Sequence, residues 1–345
     1  MTYHHPPYPR LIILSLLFSG SAFAADQSAA FADCARVAEN KLRLECYDRL
    51  AERASDAPAD AANAAAPAAE TAIAEEKRLQ EEPFSLVKHW ELDDAHKRGT
   101  FAFRPHTPNY VLLANTSRDP NVAPFEPLIA LDPDNPKVSN TELSFQLGFK
   151  VKALENVINK SDLWFGYTQR SFWQAYNSDA SSPFRETNYQ PEVMFVTPLN
   201  FDLLGLHTRF VNVGLVHQSN GQSGSLSRSW NRVYVQAGFE RGDFNVLARV
   251  WHRFHENQSE DDNPDIVDYM GRGDLIANYR WRGHDFSVLA RRNFDTGKGA
   301  VQLGWGFPLS EQLKGYIQFF SGYGQSLIDY NSYQQSIGLG FLIDF

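Results

Sequence analysis

The chain has 345 residues, a formal net charge of −9 from 32 Lys and Arg against 41 Asp and Glu, and a 43% hydrophobic composition. A mean hydropathy of −0.40, with no apolar run of about 20 residues, excludes a polytopic helical membrane protein, and an acidic balance without a Lys/Arg block argues against a nucleic-acid partner. Two cysteines exclude a disulfide-dense scaffold and a multi-cysteine zinc site, whereas 7 Trp, 14 Tyr and 25 Phe, 13% of the chain, need an explanation.

Arg10 precedes the apolar stretch Leu11 to Phe18, and small residues follow, ending in Ala22-Phe-Ala24. That order is the pattern of a secretory signal, so residues 1–24 are expected to be removed and the mature chain to start near Ala25. Residues 25–54 read as a small helical unit in which Cys34 and Cys46 flank a helical stretch. Export implies an oxidising compartment, so a Cys34–Cys46 disulfide is expected in preference to two free thiols. A catalytic cysteine would need a nearby His, and none is there. From Ser55 to Glu70 nine of sixteen residues are Ala and none is aromatic. Such a stretch has nothing to pack, and residues 55–80 are read as a linker. Glu75 to Asp94 is charged, with a helical character.

From about Phe101 the pattern has period two. Ile337, Leu339, Phe341, Ile343 and Phe345 form one face of the last segment, and Val211, Val213 and Leu215, then Val233 and Val235, repeat the alternation. Asn293-Phe-Asp-Thr-Gly and Arg282-Gly-His separate such segments as turns. About 240 residues at roughly 20 per strand and turn give about twelve strands. A soluble sandwich or barrel and a transmembrane barrel both fit. Export, Trp and Tyr near strand ends, and a last strand ending in Phe345 favour the membrane. A terminal aromatic of that kind is what outer-membrane barrels present to their barrel-assembly machinery. Twelve antiparallel strands also close without an edge, which hydrocarbon requires. The fold expected is therefore all-β, a twelve-stranded antiparallel transmembrane β-barrel over residues 95–345, with a small N-terminal helical extension and linker.

Parity places Val211, Val213, Leu215, His217 and Ser219 on one side of a strand. Residues 221–229, rich in Gly and Ser, form a turn, and Asn231, Val233 and Val235 return on the same face. Aliphatic neighbours imply that this face meets lipid, where polar groups are costly unless they satisfy one another or sit near the interface. Ser219, His217 and Asn231 are the residue types of nucleophilic acyl transfer, in which an imidazole takes a serine proton and a third group orients the ring. Spacing alone favours the other reading, interfacial residues hydrogen-bonded to the loop, because His-x-Ser is a common pattern.

His217-Gln-Ser-Asn-Gly-Gln-Ser, with Ser227-Arg-Ser-Trp-Asn-Arg232, resembles the signature of the outer membrane phospholipase A family. Gly166-Tyr-Thr-Gln-Arg-Ser-Phe-Trp-Gln174, the segment Asn177 to Tyr189, Asp261-Asp-Asn-Pro-Asp-Ile266 and Ser321 to Asn331 resemble it too. The resemblance covers roughly residues 95–345. It implies an outer-membrane, calcium-dependent phospholipase that hydrolyses acyl esters of membrane phospholipids at the A1 and A2 positions and is active as a homodimer. By position Ser219 is the implied nucleophile, His217 the general base, Asn231 its orienting partner and Gly221 an oxyanion donor. The implied calcium ligands are Gln222, Ser227 and Asp262 of one subunit and Ser181 of the other. Position 224 is Gly where an Asp can occur, which removes one acidic group beside the metal. Gln169 resembles a position used in subunit pairing, with an interior-lining role as the alternative. A non-enzymatic channel or structural barrel is the competing reading, with Arg280 and Arg282 as candidates to fill its lumen. An outer-membrane protease is disfavoured because no comparable acidic pair is present.

Overall fold

The structure is a computed structural model that describes residues 34, 36–37, 39–55, 85–127, 138–257, 259–310 and 313–343. The expected signal segment, most of the expected linker and Phe345 lie outside the described residues. The chain divides into two compact units, residues 1–78 and 79–345. In the first, Cys34 and Cys46 are disulfide-bonded with Cα atoms 5.6 Å apart, and the helix α1 runs Asn40–Ser55.

In the second unit thirteen strands follow in chain order. They are β1 (Phe103–Pro105), β2 (Asn109–Ser117), β3 (Thr141–Ile158), β4 (Ser161–Trp173), β5 (Phe184–Leu203), β6 (Leu206–Ser219) and β7 (Ser229–Arg241). The rest are β8 (Phe244–Arg253), β9 (Gly273–Trp281), β10 (His284–Arg292), β11 (Gly299–Pro308), β12 (Leu313–Tyr323) and β13 (Tyr333–Ile343). Each pairs antiparallel with its neighbours, and β13 pairs with β2, which pairs with β3. β1 lies along the same edge of β3 as β2, so the two are halves of one wall strand. Pro105 and Pro108 lack the N–H that a continuous ladder needs, which accounts for the break. The sheet therefore closes into a twelve-stranded barrel, as the length of the period-two region predicted, and among the described residues no strand edge is left open.

Two-residue turns join the strands at one end, at Asn159-Lys160, Leu204-Gly205, Gly242-Asp243 and Arg282-Gly283. Three of these have positive φ at both residues, the backbone that matches strand twist in a tight hairpin. The other end carries long connections, among them 118–140, 220–228 and 254–272. In outer-membrane barrels the short turns face the periplasm and the long loops the exterior.

Side chains alternate across the wall. Val193, Val213, Leu215, Val235, Leu303, Ile337 and Leu339 are exposed, while Asn212, Gln236, Lys152 and Gln318 are buried on the inner side. Apolar outside and polar inside is the arrangement of a wall solvated by lipid. No helix among the described residues is long and apolar enough to cross a membrane, so the strands are the spanning elements.

The interior is filled rather than open. Arg249 pairs with Asp274, and Arg185 with Glu142 and Asp329, all with largely buried side chains. Arg232 lies 3.8 Å over the Trp230 ring. At the short-turn end a five-residue helix, α2 (Leu86–Trp90), plugs the barrel. Its Leu86 N–H donates to Glu240 Oε2 at 2.7 Å, and Trp90 packs against Trp164 and Phe210 with centroids 6.1 and 5.1 Å away. The barrel unit thus begins earlier than residue 95, because these apolar side chains are buried only inside the wall. Trp90, Trp164, Trp230 and Trp251 are all interior. Interfacial girdles account for part of the aromatic content, such as Trp281 and the stacked pair Phe286 and Trp305 on the outer face. Arg280 does face inward, bonded to Asp285. Arg282 sits instead in a tight turn with φ 49°, against the Trp281 ring.

Glu91 ends α2 in the left-handed region and ties the plug to the wall through Arg104, Lys152 and Arg98. Burial pushes its carboxyl up, but the hydrogen bonds from these three cations outweigh that and hold it down to about 2. A carboxyl depressed from 4.5 stabilises the fold above that pH and loses the contribution as pH falls towards 2. Glu91→Gln should therefore lower barrel stability at pH 7 by about 3 kcal/mol, because buried Arg104 loses its carboxylate partner and Lys152 keeps only Asp162 and Glu155. The gap to the unmodified protein should narrow between pH 4.5 and about 2, as read from thermal unfolding in detergent micelles. A gap that stays constant with pH would contradict this role for Glu91.

Candidate functional site on the outer wall

Strands β6 and β7 are in register with His217 opposite Asn231 and Ser219 opposite Ser229. His217 is exposed on the same face as Val213 and Leu215, so the parity assignment to the outer wall holds. The His217 Nδ1 and Asn231 Oδ1 atoms are 2.9 Å apart. An amide oxygen only accepts, so Nδ1 is the donor in this contact, and in the neutral tautomer that fits it the lone pair is on Nε2. Ser219, two residues along the same strand face, ends β6 at the long-loop end of the barrel.

Lateral register extends this row. Leu147 lies opposite Gln169, Gln169 opposite Tyr189, and Tyr189 opposite Ser219. Gln169 shares the outer face with the exposed Phe165 and bonds Tyr167 and Ser171. It does not line the interior.

The connection after Ser219 is organised by Asn220, which is 3% exposed. Its Oδ1 accepts from the N–H groups of Gln222 and Arg228 at 3.2 and 3.0 Å, and its Nδ2 donates to the Leu226 carbonyl and to Glu186. Gly221 adopts φ +65°, and a Cβ there would come within 3.2 Å of the Tyr189 ring, so both conformation and space favour glycine.

A second connection, 254–272, docks beside it. Asn263 is fully buried and accepts from the Ser229 N–H at 2.9 Å. Arg253 donates to Asp261 at 2.5 Å and to the Asn263 carbonyl at 3.0 Å. This docking brings Asp262 to Ser227, whose Oγ–H donates to Asp262 Oδ2 at 2.5 Å. Gln222 is exposed in the adjoining loop. Among the described residues no three His, Cys, Asp or Glu side chains converge. A cation here would rest on hydroxyl and carbonyl oxygens around one carboxylate, hard donors that fit calcium. Ser181 lies elsewhere on the chain, at φ 58° in the connection between β4 and β5, and no hydrogen bond among the described residues joins it to Ser227 or Asp262.

Sequence reasoning missed three residues that shape the site. Asn220 and Asn263 stood inside recognised strings, but nothing in the strings distinguished a loop-building Asn from a solvated one. Glu256, which accepts from Asn231 Nδ2 at 3.0 Å, had no signal at all.

A closed barrel with an apolar outer wall, a filled interior and a Ser, His and Asn group on that wall defines a membrane-embedded barrel whose polar site faces lipid, not a lumen. The family model for phospholipase A1 matches residues 86–343, and the chain belongs to this family. It is 38% identical to a putative phospholipase A1 of Neisseria meningitidis serogroup B, over 97% of this chain and 95% of the relative. It is 36% identical to phospholipase A1 of Escherichia coli K12, over 71% and 82%. Among solved structures, outer membrane phospholipase A from Escherichia coli superposes with a TM-score of 0.66 at 34% identity, covering 72% of this chain and 94% of that one. The calcium-bound dimer of the outer membrane phospholipase of Salmonella typhi gives 0.68 at 32% identity, covering 75% and 97%. The chain is thus an outer-membrane-type barrel of a phospholipase family.

Replacing Asn220 with Ala removes four hydrogen bonds, three of them to the loop backbone at Gln222, Leu226 and Arg228, a loss of about 0.5–1.5 kcal/mol for each. The variant should still form a heat-modifiable barrel but be cleaved faster by protease within residues 221–228. Unchanged cleavage would show that the loop does not depend on Asn220.

Proposed function

We propose that this protein is a calcium-dependent phospholipase that hydrolyses acyl esters of glycerophospholipids, at both the A1 and A2 positions, from the lipid-facing side of its barrel. The observation that carries the reading is the His217–Asn231 hydrogen bond on an otherwise aliphatic outer face, with Ser219 on the same strand face. A structural barrel has no use for such a group in contact with lipid, where polar side chains are expensive.

Ser219 is the nucleophile. His217 Nε2 takes the Ser219 proton as Oγ attacks the ester carbonyl, and Asn231 Oδ1 holds the ring in the tautomer that leaves Nε2 free. The Gly221 N–H donates to the oxyanion of the tetrahedral intermediate. As that intermediate collapses, His217 returns the proton to the glycerol oxygen and a lysophospholipid leaves. Water, deprotonated by His217, then attacks the acyl-serine, and His217 returns that proton to Ser219 Oγ as the fatty acid leaves. An Asn as the third member keeps a formal charge out of contact with hydrocarbon.

The Gln222 carbonyl, Ser227 and Asp262 would hold calcium, completed by the partner subunit's Ser181 in a homodimer. A bound ion would supply positive charge that stabilises the developing oxyanion. Gly224 leaves the set with a single carboxylate, which suits a site filled only on dimerisation. The long-loop end, where Ser219 lies, is the exterior end, so the substrate is phospholipid reaching the outer leaflet. The α2 plug at the short-turn end supports a periplasmic N-terminal unit, and the apolar outer face of β13, with Ile337 and Leu339, supports recognition by the barrel-assembly machinery. A channel is the weaker reading, because the inward-facing side chains are buried against one another rather than lining water.

In mixed detergent–phospholipid micelles Ser219→Ala should lower fatty-acid release about 1,000-fold or more while leaving a folded barrel. Undiminished release in that variant would overturn the assignment. Chelation should stop release by the unmodified protein, and Asp262→Asn should raise the calcium concentration needed for half-maximal rate. A rate insensitive to chelator would remove calcium from the account.

A further inference from the structure

The Asn231 amide has two ends, and only one of them faces His217. Its Oδ1 accepts from His217 Nδ1, and its Nδ2 donates to Glu256 Oε1 at 3.0 Å. Carboxylates accept and never donate when ionised, so Glu256 decides which way the amide is turned. Were the amide reversed, its NH2 would face His217 and its oxygen would face the carboxylate. The first would force the free imidazole lone pair onto Nδ1 and put a proton on Nε2. The second would set two acceptors against each other.

Glu256 is itself held. It follows β8, two residues beyond Phe254, whose N–H donates to the Asn231 carbonyl. Its side chain is 18% exposed, and its second oxygen lies 3.5 Å from Arg253. That guanidinium also donates to Asp261 and to the carbonyls of Asn263 and Pro264. Asp261 and Asn263 flank Asp262, which accepts from Ser227. One continuous set of bonds therefore runs from the loop that carries Asp262, through Arg253 and Glu256, to the Asn231 amide and the imidazole.

We propose that Glu256 is a positioning residue for the hydrolytic site: it fixes the Asn231 amide orientation and thereby the His217 tautomer, and Arg253 links this setting to the docked 261–264 loop. The inference rests on the reading of Ser219, His217 and Asn231 as the hydrolytic group. It adds a fourth member that touches neither substrate nor the reacting atoms and acts only through Asn231. With the carboxylate removed, both amide orientations are populated, and the population with the proton on Nε2 cannot accept the serine proton. The loss falls on turnover and leaves lipid binding alone.

The test is a double-mutant cycle on the full-length protein in phospholipid–detergent micelles with calcium, with heat-modifiable migration confirming that each variant is folded. Glu256→Ala should lower kcat about 10-fold to 100-fold with KM nearly unchanged, the range for losing a partner that orients a reactive group. Glu256→Gln, whose amide oxygen can still accept from Asn231, should recover much of the rate. In an Asn231→Ala background Glu256→Ala should cost little more, because residues that act through one contact are not additive. Full activity of Glu256→Ala, or a loss that multiplies with that of Asn231→Ala, would overturn the proposal. The same would follow from a Gln variant as poor as the Ala variant. A Ser219→Ala control separates the two levels: an active control sinks the hydrolase reading itself, whereas an inactive control with a wild-type Glu256→Ala rate sinks only the role of Glu256.

Discussion

The closed ladder of backbone hydrogen bonds is the constraint on which everything else depends. Hydrocarbon offers no partner for a free N–H or carbonyl, so β13 must return to pair with β2 and the broken first strand must stay registered on β3. Closure fixes an inside and an outside for every side chain with period two. It leaves Val213 and Leu215 to lipid and encloses Asn212, Lys152 and the Arg249–Asp274 pair. The same alternation, continued two residues further, leaves His217 and Ser219 on the outer face. The location of the site is thus a consequence of strand parity and needs no special local architecture.

What the loops add is fine positioning. Asn220 folds one connection back on itself and Asn263 docks a second against the first residue of β7. Between them they bring Ser227 to Asp262 beside the end of β6. Both asparagines are buried, and each satisfies backbone groups that a surface loop would otherwise leave to water. The site therefore combines strand residues, which are rigid and set by register, with loop residues held by buried side-chain amides.

Much of this was legible in the sequence. The length of the alternating region gave the strand number, and alternation gave the outward face of His217, Ser219 and Asn231, because period two is a local property. The N-terminal plug was not legible: Leu86 and Trp90 resemble any short apolar pair until the barrel around them is closed. For the same reason the aromatic content was only half explained. Trp164, Trp230 and Trp251 alternate with outward residues as girdle residues do, and only the register shows that they point inward. Glu256 was invisible because an acidic residue in a polar loop has no periodic partner. Its meaning lies in a contact with Asn231, 25 residues away in sequence.

The central claim is that an activated serine sits on the lipid-facing wall, and the most direct measurement is covalent labelling of the outer-membrane-embedded protein. A long-chain alkylsulfonyl fluoride, which sulfonylates an activated serine with loss of fluoride, partitions into the membrane beside that wall. Peptide mass spectrometry should find a single adduct on Ser219, lost when His217 is replaced by Ala. Adducts spread over Ser181, Ser227 and Ser229, or one on Ser219 that persists without His217, would contradict the account.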